Sequence, residues 1–125
     1  YEYDYIIKSS NPKEIVVVEI KAYHSKYQIP LGDYQTKNTV KWFFNKTLPF
    51  IKEKFKTDIV DGYTFKGAYI TSSKFTEEAL VNLNEKNQGN FKPKNLDVYY
   101  DREKLLNLLS ENDYNTLKDI LEKFY

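Results

Sequence analysis

Glu14-Ile15-Val16-Val17-Val18-Glu19-Ile20-Lys21 decides how the rest of this 125-residue chain is read. Five of its positions are apolar and β-branched, which is the composition of a buried strand. Two charges stand at its exit. Side chains on a strand alternate faces, so Glu19 and Lys21 point one way and Ile20 the other. Such an acid and base either serve a site or form an edge-strand charge pair that discourages aggregation. Just upstream, residues 3–8 read as a second strand and Ser9-Ser10-Asn11-Pro12 as a turn. The two strands form a hairpin, and the hairpin brings Asp4 beside Glu19.

Two neighbouring carboxylates, with the Ile20 backbone carbonyl between them, are hard oxygen ligands suited to Mg²⁺ or Mn²⁺. A cation held there can polarise a phosphodiester, lower the pKa of a bound water and stabilise the leaving oxygen. Lys21 would stand beside that water, or counter the charge that develops at phosphorus. The catalytic candidates are therefore Asp4, Glu19 and Lys21, and the metal ligands Asp4, Glu19 and the Ile20 carbonyl. Glu2 shares the face of Asp4 and is its substitute. An Asp…Glu-x-Lys match is a weak signal on its own in a lysine-rich chain.

Downstream, residues 23–33 read as a polar loop, and Asp33 as a helix cap. Val40, Phe43, Phe44, Leu48, Ile51 and Phe55 recur at helical spacing, giving an amphipathic helix of about five turns that Pro49 should kink or split. Residues 57–64 read as a loop and 66–72 as a strand. Thr76 caps a helix with Glu77 and Glu78 in its first turn, and Phe75 and Leu80 fit a hydrophobic staple around the cap. Residues 96–100 read as a short strand. Asp101 caps a Leu-rich helix, and Ser110 with Asp113 starts a last one. Alternating strands and helices make the chain α/β, a small mixed β-sheet flanked by helices. It reads as a single domain over residues 1–125, with a core at 1–100 and a helical extension at 101–125.

Supporting roles are assigned by position. Gln35, Lys37 and Lys41 fall at the start of the long helix, where the lysines could contact phosphate and Gln35 could support a metal-bound water. His24, the only histidine, could touch the scissile phosphate. Thr71, Ser72 and Ser73 lie between a strand and a helix, where hydroxyls and helix amides either bind phosphate or simply satisfy the helix start. Lys26 and Lys46 are backbone-steering charges or plain solvated surface. Trp42 and its neighbouring phenylalanines are core more often than base-stacking platforms, although Trp42 lies off the main stripe.

Composition sets the outer limits. Charged residues make up 30% and hydrophobic ones 41%, a globular rather than disordered balance. No apolar run approaches a membrane span, so no membrane partner is expected. Without cysteine there are no disulfides, thiolate–zinc sites or thiol nucleophiles. Residues 1–60 hold ten lysines against seven acids, so the half with the decisive strand is the basic half. The chain contains no methionine and opens on strand-like sequence, so it reads as a piece of a larger parent protein.

Asp4-Tyr5-Ile6-Ile7 followed by Ile15-Val16-Val17-Val18-Glu19-Ile20-Lys21 resembles the core signature of the restriction-endonuclease-like PD-(D/E)XK nucleases. Lys66-Gly67-Ala68-Tyr69-Ile70-Thr71-Ser72-Ser73-Lys74-Phe75-Thr76-Glu77-Glu78-Ala79 is similar to the strand-to-helix block of the Mrr-type restriction endonuclease branch, and it is the more specific of the two. The resemblance runs from about residue 4 to about residue 110. It implies Mg²⁺-dependent DNA cleavage in a prokaryotic cytoplasm at the nucleoid, with Asp4 and Glu19 on the metal and Lys21 as the catalytic lysine. The chain departs from the pattern in several places. Tyr3 stands where a glycine often precedes the Asp, and Glu19 stands where this branch often carries Gln. The helix and strand that open the family core are missing from the sequence. Two other readings are a catalytically inactive DNA-binding module of the same fold, and a protein-interaction or homodimer surface on the Leu-rich C-terminal helices.

Overall fold

The computed structural model describes residues 4–108. Its centre is a four-stranded mixed sheet. Strand β1 (Tyr5–Ser10) pairs antiparallel with β2 (Lys13–Lys21), and β2 pairs in parallel with β4 (Thr64–Thr71), which pairs in parallel with β6 (Tyr99–Tyr100). The expected hairpin is present, with its turn at Asn11-Pro12. Both faces of the sheet are covered. Ile6, Val17, Tyr69 and Tyr99 pack on one side with Phe43, Ile51 and Leu83. Tyr5, Ile7, Val16, Val18, Ile20, Ala68 and Ile70 pack on the other with Leu96, Leu105 and Leu108. Two-sided burial is why Ile15 to Val18 is a continuous apolar run rather than an alternating one.

Several boundaries differ from the sequence reading. The polar loop at 23–33 contains β3 (Gln28–Ile29), which pairs in parallel with β5 (Lys74–Phe75) in a second, two-stranded sheet. Strands this short carry no periodic pattern to detect. Asp33 does not cap the helix. Its carboxylate accepts from the Gln35 and Thr36 amides at 2.8 and 2.7 Å, closing a turn. The cap is Thr39, whose hydroxyl accepts from the Trp42 amide and donates to the Thr36 carbonyl. Residues 57–64 are not simply a loop, because helix α3 (Lys56–Val60) occupies the first part. Nothing breaks the helical run until Asp61-Gly62, where Gly62 has φ +102°. Only Tyr99 and Tyr100 of the expected strand at 96–100 pair with β4.

The long helical segment bears the mark of Pro49. It runs from α1 (Val40–Trp42) through a π-helical turn (Phe43–Thr47), α2 (Leu48–Lys52) and a 3₁₀ turn (Glu53–Phe55) into α3. Proline lacks an N–H and its ring crowds the carbonyl four residues back, here that of Asn45. One wide turn relieves this: the Leu48 amide reaches back five residues to the Phe43 carbonyl. Helix α4 (Glu77–Gln88) starts as expected. The Thr76 hydroxyl accepts from the Ala79 amide at 3.3 Å, and Phe75 and Leu80 belong to one core cluster. Asp101 caps α5 (Arg102–Leu108) through the Lys104 amide. Glu2, Tyr3, Leu109 and the last helix with its Ser110 and Asp113 cap lie outside the described residues. No helix among the described residues is long and apolar enough to cross a membrane.

Gly32 fixes the approach to the long helix. Its φ is +73°, and a Cβ there would collide with the Thr39 side chain that caps α1. Gly32→Ala should therefore combine left-handed strain, overpacking and loss of the cap, about 3 kcal/mol in all. Urea unfolding should show a lower midpoint at unchanged slope.

Candidate active site

Register brings the predicted triplet together. Tyr5 faces Val18 across the β1–β2 ladder, so the next residue outward, Asp4, falls opposite Glu19. The Asp4 amide still donates to the Val18 carbonyl at 3.2 Å. Its carboxylate Oδ2 accepts from the Ile20 amide at 2.6 Å. The amide and carbonyl of one residue face the same neighbour in an antiparallel ladder, so the Ile20 carbonyl also looks to the side of Asp4. Glu19 is 9% exposed, and Lys21 Nζ stands 3.5 Å from its Oε1. On the other side of β2, Glu19 is in register with Tyr69, and Tyr69 with Tyr99. Asp4, Glu19, Tyr69 and Tyr99 thus form one row across the sheet.

Glu19 is the electrostatic centre. Burial and the adjoining Asp4 carboxyl push its pKa from the usual carboxylate range up to about 8, against the pull of Lys21. Beneath it, Tyr69 is fully buried and its hydroxyl donates to the Asn38 carbonyl at 3.3 Å. Burial, followed by the charge of Glu19, pushes that phenol further up, so it stays a donor. Asn38 has φ +62°, a left-handed conformation uncommon outside glycine, so the tyrosine clasps a strained turn against the sheet.

A cleft of about 500 Å³ opens here, lined by Glu19, Lys21, Lys37, Asn38, Trp42 and Tyr69 together with Thr39, Phe43 and Thr47. A second hollow, of about 400 Å³, is rimmed by Lys92, Lys94 and Lys104. Its acid, Asp97, is already paired with Lys92 at 3.1 Å and Lys104 at 3.4 Å, so it offers no free acid–base set.

Of the supporting residues expected from sequence, only Lys37 lines the cleft. Gln35 sits in the exposed turn closed by Asp33. Lys41 lies over the Tyr34 ring, 5.7 Å from its centre. His24 is exposed in a turn where its Nδ1 accepts from the Lys26 amide. Thr71 and Ser72 do not offer hydroxyls to a phosphate. Thr71 is fully buried, and its Oγ1 donates to the Lys21 carbonyl at 2.8 Å and contacts the Ser73 hydroxyl. Ser72 Oγ donates to the Tyr23 carbonyl at 2.9 Å. These hydroxyls hold the strand exit in place and act on the site through Lys21. Sequence reasoning missed Tyr69 and Asn38. The signal for Tyr69 was its alternation within residues 66–72, which becomes informative only once the β2–β4 register is known.

A scan against protein-family models finds no match to this chain, and searches of curated proteins and of solved structures find none either.

The buried Glu19 makes stability depend on pH. Its folded pKa lies above the unfolded value, so between about 4.5 and about 8 the folded chain keeps a proton that the unfolded chain releases. Stability should therefore fall as pH rises through this window, by up to roughly 1.4 kcal/mol per pH unit, and level off above it. Urea midpoints measured across the window should show the fall in the wild type. Glu19→Gln should flatten it, and the same slope in both proteins would show that Glu19 is not its source.

Proposed function

We propose that this chain is the catalytic domain of a metal-dependent DNA endonuclease, with Asp4, Glu19 and Lys21 as its working residues. The observation that carries the reading is the meeting of Glu19 and Lys21 in one cleft, with the Asp4 carboxylate beside Glu19, at the exit of a strand buried on both faces. The sheet order and the resemblance at residues 66–79 support a restriction-endonuclease-like core of the Mrr type, a deoxyribonuclease of restriction, defence or repair acting at the nucleoid.

The donor set fits Mg²⁺ or Mn²⁺. Among the described residues no group of three or more His, Asp or Glu side chains could hold a metal ion. Mg²⁺ commonly uses one or two carboxylates, keeps several waters and takes further oxygens from substrate phosphate. Asp4 and Glu19 would be those carboxylates, and the Ile20 carbonyl a third oxygen. When bound, such an ion polarises the phosphodiester and acidifies a coordinated water.

The chain's own residues do the rest. Glu19 loses the proton that burial makes it keep, and its ionised form is the one that binds a cation. Asp4 is fixed by the Ile20 amide, so the second carboxylate is already oriented. Lys21 brings positive charge to where charge builds on the phosphoryl oxygens, and the Thr71 hydroxyl anchors its main chain. Lys37 draws the phosphate backbone towards the cleft.

Plasmid DNA incubated with the protein and Mg²⁺ or Mn²⁺ should be nicked or cut, and chelator should abolish the activity. Asp4→Asn, Glu19→Ala and Lys21→Ala should each lower the rate roughly a hundredfold or more. Mn²⁺ should raise the melting temperature of the wild type but not of Glu19→Ala. Unchanged cleavage in the Glu19 and Lys21 variants sinks the assignment. Salt-sensitive DNA binding with no cleavage under any divalent cation would favour a binding module instead.

A further inference from the structure

We propose that the cleft beside Glu19 seats one unpaired nucleotide, its base against Trp42 and its phosphate at Lys21 and Lys37. The inference rests on the nuclease reading, because it uses the same cleft, and it names the form of DNA that enters it. Four observations carry it. The cleft is concave and about 500 Å³, within the range of sites that enclose small ligands and far too small for a duplex. Its walls combine an indole with two lysines, which is the mixture that recognises a nucleotide: a ring for the base and cations for the phosphate. Trp42 is half-buried on the first turn of the long helix and lines the cleft, so an indole forms part of its wall. Asn38 is held in a left-handed conformation by the hydrogen bond from buried Tyr69, so the cleft wall it contributes is a braced turn.

The chemistry favours the same occupant. Stacking on one aromatic tolerates any base, so this seat selects for unpaired DNA and not for a sequence.

Trp42 is the only tryptophan of the chain, which makes the proposal directly measurable. The full chain is titrated, with chelator present so that nothing is cut, with a short oligothymidine, a strand of equal length made wholly of abasic residues, and a blunt duplex. Fluorescence is excited at the red edge, where only the indole absorbs, and anisotropy reports binding independently. The oligothymidine should quench Trp42 and bind roughly tenfold more tightly than the abasic strand, which carries the same charge. Trp42→Ala should remove that difference, and Trp42→Phe should keep part of it. Should Trp42→Ala fail to fold, the pair of ligands on the wild-type chain decides alone.

Equal affinity and equal quenching for the two strands overturn the proposal. So does saturation by oligothymidine without quenching. Duplex cutting in Mg²⁺ without any base-dependent quenching overturns this proposal and leaves the nuclease reading standing. Base-dependent quenching without cutting in any cation does the reverse.

Discussion

The register of β2 between its two neighbours is the constraint on which the candidate site depends. Asp4 meets Glu19 only because Tyr5 faces Val18, and Tyr69 underlies Glu19 only because Val17 faces Gly67. A slip of one residue would turn Glu19 and Lys21 to the opposite face. The apolar run cannot set this register by itself, since both of its faces are buried and a slipped strand would stay apolar. Gly67 fixes how closely the helical segment seats on β4. A Cβ at that position would come within 2.5 Å of Leu48 and 3.1 Å of Phe43, so the helical segment packs closely onto the sheet only where a glycine faces it. On the other side the short turn at Asn11-Pro12 leaves the hairpin little freedom.

The same helical segment builds the core and one wall of the cleft. At helical spacing Thr47 falls on the same face as Val40, Phe43, Phe44 and Ile51, and Leu48 falls at the edge of that face. In the structure Thr47 is 3% exposed and lines the cleft, while Leu48 is only partly buried. The π turn adds a residue between successive ladder bonds and rotates the helix beyond it. Phe43 and Ile51 still reach the core, on either side of the extra residue.

Much of this was legible in the residues, for identifiable reasons. The strand at 13–21, the hairpin and the cap at Thr76 each rest on local chemistry: β-branched composition, a turn signal, a hydroxyl preceding two acids. The convergence of Asp4 and Glu19 came from the hairpin alone. What stayed hidden depends on distant partners. Asp33 and Thr39 are both competent caps, and the choice fell to Thr39 because Gly32 leaves room for its side chain. The hydroxyls of Thr71 and Ser72 looked like phosphate ligands because the carbonyls they serve, those of Lys21 and Tyr23, lie about fifty residues away in sequence. Trp42 lies off the apolar stripe in the sequence, and only the position of the cleft shows what that side of the helix faces.

The two buried acids of β2 are compensated in different ways. Glu14 is 8% exposed, on the sheet face opposite Glu19, and both of its oxygens accept from the Lys94 amide at 3.2 and 3.1 Å. That carboxylate is compensated by the backbone and holds the loop before β6. Glu19 is buried to the same degree, yet its neighbours are a second carboxylate and a lysine 3.5 Å away. Tyr69 does not compensate it, because its hydroxyl is directed to the Asn38 carbonyl. Folding alone gains nothing from two acids against each other in a low-dielectric pocket, and an apolar residue at position 19 would fit the strand better. Asp4 is compensated by the Ile20 amide, whereas Glu19 relies on Lys21 and on the proton that burial and Asp4 make it keep.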